Sequence, residues 1–134
     1  MRDIRDYYRV TGVFSGGAWL GAAVCSLFDG SFFSYLAILF LLAGIIVDII
    51  RIAWIARTKM EDFDEMAQIN LTKAKAFALT VLHTCSLPFM VIVLLNATGR
   101  VSIHIEADTA VLFAVGIGET ATGWKFLSLE RNGE

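Results

Sequence analysis

Proline is almost absent from this chain: Pro88 is the single one in 134 residues. No Gly/Ser-rich or low-complexity tract marks a linker, so residues 1–134 read as one unit with no second domain. Cysteine is scarce as well. Cys25 and Cys85 both lie inside apolar runs with no close spacing between them. That excludes a disulfide scaffold and a zinc module, and both thiols are expected to pack as small hydrophobes. No glycine-rich phosphate loop occurs, because the glycines lie within the apolar runs. Ser15, Cys85 and Ser86 are available nucleophiles, but none sits in a strained-turn motif, so an enzyme ranks behind the readings below. HxxxH and ExxH spacings are missing, which argues against a metal centre. Nothing points to a cofactor. The 11 basic and 13 acidic residues leave a formal charge of -2, which argues against a nucleic-acid partner.

What the chain has is apolar surface. Hydrophobic residues make up 57% of it, with a mean hydropathy of +0.67. A soluble domain of this size is about half apolar or less, and here the excess is gathered into long runs. The expected fold is all-α: a polytopic membrane protein, a four-transmembrane-helix bundle whose third helix extends into the cytoplasm. The spans are predicted at about 8–28, 32–56, 76–96 and 109–129, with an amphipathic extension over 59–75. Residues 1–10 mix Arg with Asp, and no small-x-small cleavage site closes the run that follows. The first span is therefore expected to be retained.

Span one carries Gly12, Gly16, Gly17 and Gly21, two overlapping GxxxG pairs. In lipid, helix association relies on close backbone approach, which glycine permits. Asp29-Gly30-Ser31 makes a tight turn, so spans one and two form an antiparallel hairpin. Near its end span two carries Asp48 and Arg51, one turn apart and able to pair, then Trp54 at interfacial height. Thr58-Lys59-Met60-Glu61 fits a capping box, and the acidic residues 61–65 oppose the helix dipole, so a helix is expected to begin near Lys59. Phe63, Met66, Ile69 and Asn70 fall on roughly one stripe of that extension. Pro88 is expected to kink span three and free a carbonyl near Thr84. The alternation over Val101–Glu106 suggests a short extended piece. In span four, Gly118 and Thr122 make another small-xxx-small pair.

Four spans put both termini and the 57–75 connection on one side. That side carries ten of the basic residues, and the other carries Arg100 alone. By the positive-inside rule the termini are cytoplasmic, in what is read as a bacterial inner membrane.

Helix rise then gives depth. His83 lies ~12 Å beyond Lys75, Asp48 lies ~12 Å inside the end of span two, and Glu119 lies ~14 Å inside the end of span four. Three helices thus bring Asp48, His83 and Glu119 to one level, with Arg51, Thr80 and Thr84 close by in sequence. Ionisable groups at such depth cost ~2.5–3.5 kcal/mol each and must find partners. In one reading Glu119 and His83 bind a proton, ion or small solute in an oligomeric channel or transporter. In the other the charges neutralise one another and fix helix register, and the protein is an accessory subunit that docks through the 59–75 helix. The expected partners are the lipid bilayer and further copies or other membrane subunits.

Overall fold

The structure is a computed structural model that describes residues 8–57, 65–100, 102–103 and 105–132, without the side chains of 9–11, 54–57 and 132. The capping box at 58–61, Phe63, Trp54, Arg57, Val101 and His104 lie outside the described residues or side chains.

Among the described residues the chain is helical throughout and contains no strand. A π-helical stretch, Arg9–Ser15, runs straight into helix α1, Gly16–Ser26. Helices α2 (Ser31–Arg57), α3 (Glu65–Ala97) and α4 (Ala107–Asn132) follow. The α1–α2 turn works through Gly30, whose φ of 134° is open to glycine and strained for other residues. Its carbonyl accepts hydrogen bonds from both the amide (3.1 Å) and the hydroxyl (3.2 Å) of Ser34. Helix α3 runs unbroken from the 65–75 stretch into its apolar part and on through Pro88. It ends at Ala97, and Gly99 two residues on, with a φ of 68°, turns the chain away. Beyond it, the Asn96 side chain brackets Ile103, donating to its carbonyl (2.6 Å) and accepting from its amide (3.1 Å). This side-chain clasp holds the connection to α4 in place of strand pairing.

Two of the helices are long and apolar enough to cross a membrane, α2 over Ser31–Ala53 and α3 over Glu65–Ala97. The apolar part of the first helix, Gly12–Ser26, is shorter. For the first helix the difference is length, since Gly12–Ser26 is apolar but short of a full span. In α4, Glu119, Thr120, Thr122 and Lys125 dilute the hydropathy.

The packing departs from a closed bundle. The helices lie in the order α2, α1, α4, α3, each packed chiefly on its neighbour, and the two outer helices make no substantial contact with each other. Neighbouring helices run antiparallel, so the starts of α1 and α3 and the ends of α2 and α4 share one end of the molecule.

The interior is built from small side chains. Ala18, Ala22, Ala23, Ala67, Ala74 and Ala78 are buried, whereas Phe32, Tyr35, Leu39, Ile52, Val93 and Leu94 stand more than 60% exposed. Phe126 is the one large apolar side chain that is fully enclosed among the described residues, and its ring meets Tyr8 at 4.3 Å.

The glycines of the first helix set its position. Gly12 lies backbone to backbone against Gly123, and Gly16 lies against Thr120 and the Gly116 carbonyl. The partner of the Gly12/Gly16 face is therefore α4 of the same chain. The second predicted pair divides. A Cβ at Gly21 would meet the Phe40 ring at 2.9 Å, whereas Gly17 has nothing within 4 Å. Gly44 opposes the Trp19 ring in the same way, at 3.2 Å.

A side chain at residue 12 has no room against Gly123. Gly12→Leu is expected to destabilise the protein in detergent by ~2 kcal/mol or more, read as a lower thermal midpoint. Gly17→Leu, facing open space, should leave the midpoint unchanged. Equal effects would show that the α1–α4 seam is not a close contact.

Candidate functional site

Three of the sequence-predicted residues meet. Arg51 on α2 donates from Nη1 to Oε1 of Glu119 on α4 at 3.1 Å, and the same nitrogen lies 3.9 Å from Oδ1 of Asp48, one turn earlier. About a third of each of the Arg51, Asp48 and Glu119 side chains remains accessible. The glycine seam makes this possible. Because α1 sits so close to α4, the arginine can span from α2 on one flank of α1 to α4 on the other.

The pair continues into the protein. Ser15 is fully buried at the end of the π-helical stretch, and its hydroxyl donates to Asp48 Oδ1 at 2.9 Å. That hydroxyl accepts from the Trp19 indole Nε1 at 3.1 Å. A chain of polar contacts therefore runs Trp19–Ser15–Asp48–Arg51–Glu119. It ties Asp48 to the buried Ser15 and places Glu119 at the far end of the chain, on the cleft.

Outside the pair lies a cleft of ≈ 260 Å³ lined by Tyr8, Arg51, Lys75, Gly118, Glu119, Thr122 and Gly123. Its glycines keep the α4 backbone low. The Thr122 hydroxyl turns back to the Gly118 carbonyl at 2.8 Å. Lys75 comes from α3 and has no ion pair among the described residues. Among the described residues the charged side chains on the lining are Arg51, Lys75 and Glu119.

His83 does not join them, and the expectation that it meets Glu119 is corrected. Its ring is exposed on α3, with Nδ1 bonded to the Leu79 carbonyl of its own helix at 2.8 Å. Thr80 and Thr84 are exposed too, donating to the Ala76 (3.1 Å) and Thr80 (2.9 Å) carbonyls. The depth was compatible, but α3 presents its Ala67, Asn70, Ala74 and Ala78 stripe to α4, which turns these three side chains outward. Gly118 faces Leu82, whose Cδ1 would lie 3.4 Å from a Cβ there.

Further polar contacts tie the helix ends. Asn70 Nδ2 donates to Glu130 Oε1 at 2.9 Å, and Lys125 Nζ lies 5.6 Å from the Phe77 ring centre. At the opposite end Ser26 and Thr109 share a hydroxyl–hydroxyl hydrogen bond of 2.9 Å. Among the described residues no group of three potential ligands is placed to hold a metal ion. Both cysteines are free thiols.

Ser15, Trp19, Tyr8 and Lys75 belong to this site and were not singled out as part of it from sequence. For Ser15 and Trp19 a signal existed. They are four residues apart on one helix face, and folding the hairpin at Asp29–Ser31 sets that face opposite Asp48. Lys75 reads in sequence only as the edge of an apolar run.

Comparison with protein-family models, curated proteins and solved structures finds no match to this chain. The site therefore stands on its own geometry.

Ser15→Ala removes the donor to Asp48 and the acceptor of the Trp19 indole. It is expected to cost about 1–3 kcal/mol of stability and to shift the Trp19 fluorescence. In a double-mutant cycle, Arg51→Ala and Glu119→Ala should be coupled by about 0.5 kcal/mol or more. Strict additivity would show that the pair is not held.

Proposed function

We propose that this chain is an integral membrane protein of four spans, with cytosolic termini, in a bacterial inner membrane. It belongs to the channel or transporter class, assembles as an oligomer, and takes a charged ligand into the Arg51–Glu119 cleft from the cytosolic side. The observation that carries the reading is an arginine–glutamate pair formed between two helices and opening onto a polar cavity beside Lys75. A purely structural pair needs no cavity, and charge at such depth is retained where it serves a path or a ligand.

Several features support the membrane address. The apolar parts of α2 and α3 are only 6% buried, so neither is the core helix of a water-soluble domain. Small residues inside and large ones outside suit a solvent of lipid, in which packing rather than water exclusion joins helices. Basic residues gather at the end where the cleft lies. Among the described residues, the cleft lining and the Asp48 carboxylate behind Arg51 carry charges of both signs, which suits a proton, an ion or a small polar solute.

A second reading, an accessory subunit that docks through the 59–75 helix, draws support from Met66 and Ile69, which are 52% and 46% exposed on the first turns of α3.

The primary reading is tested by labelling and by flux. A Thr122→Cys variant, with Cys25 and Cys85 replaced by Ser, should react with a membrane-impermeant maleimide in inside-out vesicles and not in right-side-out ones. In reconstituted vesicles, Glu119→Gln should change the movement of protons or inorganic phosphate relative to the unaltered protein. Unchanged flux of both probes, with no labelling from either side, would rule the reading out.

A further inference from the structure

The two outer helices turn different kinds of face away from the other helices. On α2 the outward stripe runs through Leu39, Leu42, Ile46 and Ile49, all large, apolar and exposed, as lipid requires. On α3 the outward stripe is Thr72, Ala76, Leu79, His83, Leu87 and Met90, also exposed. Its members follow one another at three or four residues, a seam of ~27 Å at ~1.5 Å per residue, close to the ~30 Å of a hydrocarbon core. The seam lies opposite the Ala67, Asn70, Ala74 and Ala78 stripe that packs on α4. Among the described residues α3 has no other substantial helix contact.

His83 sits near the middle of this seam. The Leu79 carbonyl can only accept, so the 2.8 Å contact places the proton of the neutral ring on Nδ1 and leaves Nε2 a bare acceptor. From Ala76 to Met90 the helix carries no other charged side chain. Glu119 is engaged with Arg51. The described residues of one chain therefore give the ring no hydrogen-bond partner outside its own helix. An ionisable group inside a span turns to a bundle interior, a cavity or a partner.

We infer that two copies of this chain meet along the outer seam of α3, about a two-fold axis normal to the bilayer, and that their His83 rings share one proton at its centre. The inference rests on the reading of the chain as a membrane oligomer and names the face. Copies inserted with one orientation are parallel, so equal depths coincide and each His83 meets the His83 of the second copy. Charge is complementary in that pair. A protonated ring donates from Nε2, and a neutral ring accepts at its bare Nε2. Thr72, Ala76 and Thr80 let the two helices approach closely at the end nearer Lys75. A lone polar residue in an otherwise apolar seam also fixes the register, because sliding one helix by a turn sets each ring against Leu79 or Leu87.

The test uses the full-length protein in membranes, with Cys25 and Cys85 replaced by Ser and one cysteine returned at a time, oxidised with copper phenanthroline. Leu79→Cys and Leu87→Cys should each give a disulfide-linked dimer. Leu39→Cys on the outer face of α2, and Val91→Cys, exposed on α3 to one side of the seam, should not. Adding His83→Leu to the Leu79→Cys protein should lower the linked fraction about tenfold. A linked fraction unchanged by His83→Leu would overturn the shared proton. Linking at Leu39 or Val91 equal to that at Leu79 would mean chance collision and overturn the seam. Native mass spectrometry of the unaltered protein separates the two readings. If it counts two or more copies while the 79 and 87 variants stay unlinked, the oligomer stands and the face is wrong. If it counts one copy, the oligomer reading fails as well.

Discussion

The approach of two backbones, at Gly12 and Gly123, governs the arrangement of everything around it. Helix α1 can lie this close to α4 only because neither carries a side chain at the crossing. Thr120 packs against Gly16 one turn along, and Leu20 packs against Gly116 one turn further. The thinness of α1 at this height lets α2 and α4 exchange a side-chain contact around it. The Arg51–Glu119 pair depends on that seam as much as on its own charges. With bulk between α1 and α4, a single arginine side chain would not bridge the two flanking helices.

The same economy of bulk shapes the polar chain behind the pair. Ser15 is small enough to be buried at the helix crossing and polar enough to hold Asp48 on one side and receive Trp19 on the other. Trp19 in turn needs Gly44 opposite it for its ring. Polar satisfaction and steric fit are thus set by the same few positions. A half-buried carboxylate is costly when unpaired, and the Ser15 hydroxyl with the Arg51 guanidinium offsets that cost at Asp48. Glu119 shares Arg51 and faces the cleft.

Much of the fold was legible in the sequence because long apolar runs and a single turn-forming Asp-Gly-Ser leave few alternatives. The helix order along the chain, the α1–α2 hairpin and the continuous α3 all follow from such signals. The site was legible in part. Asp48, Arg51 and Glu119 could be placed at one height by counting rise, and that count was sufficient for them. For His83 it was not, because height does not fix azimuth. Whether a residue faces a neighbour depends on which stripe of its helix is recruited, and α3 recruited Ala67, Asn70, Ala74 and Ala78. That stripe is small and mildly polar, so a search for apolar faces does not find it. That the four-helix bundle is arranged as a row was not legible for a related reason. Glycine pairs show that two helices come close, but they do not say whether the outer helices then meet. Gly17, with open space around it, shows how a motif can match while its geometry is unused.

The row has a consequence for how such a chain would enter a bilayer. The two helices long and apolar enough to cross a membrane are the outer ones, and the shorter α1 and the more polar α4 are the inner ones. Along the sequence each inner helix adjoins an outer one, α1 beside α2 and α4 beside α3. If all four helices span a bilayer, as proposed above, insertion proceeds as two hairpins, in each of which the longer apolar segment carries its neighbour into the lipid. The glycine faces of the inner segments would meet only when the second hairpin arrives. The cleft, which borrows walls from both hairpins, would be the last feature of the molecule to form.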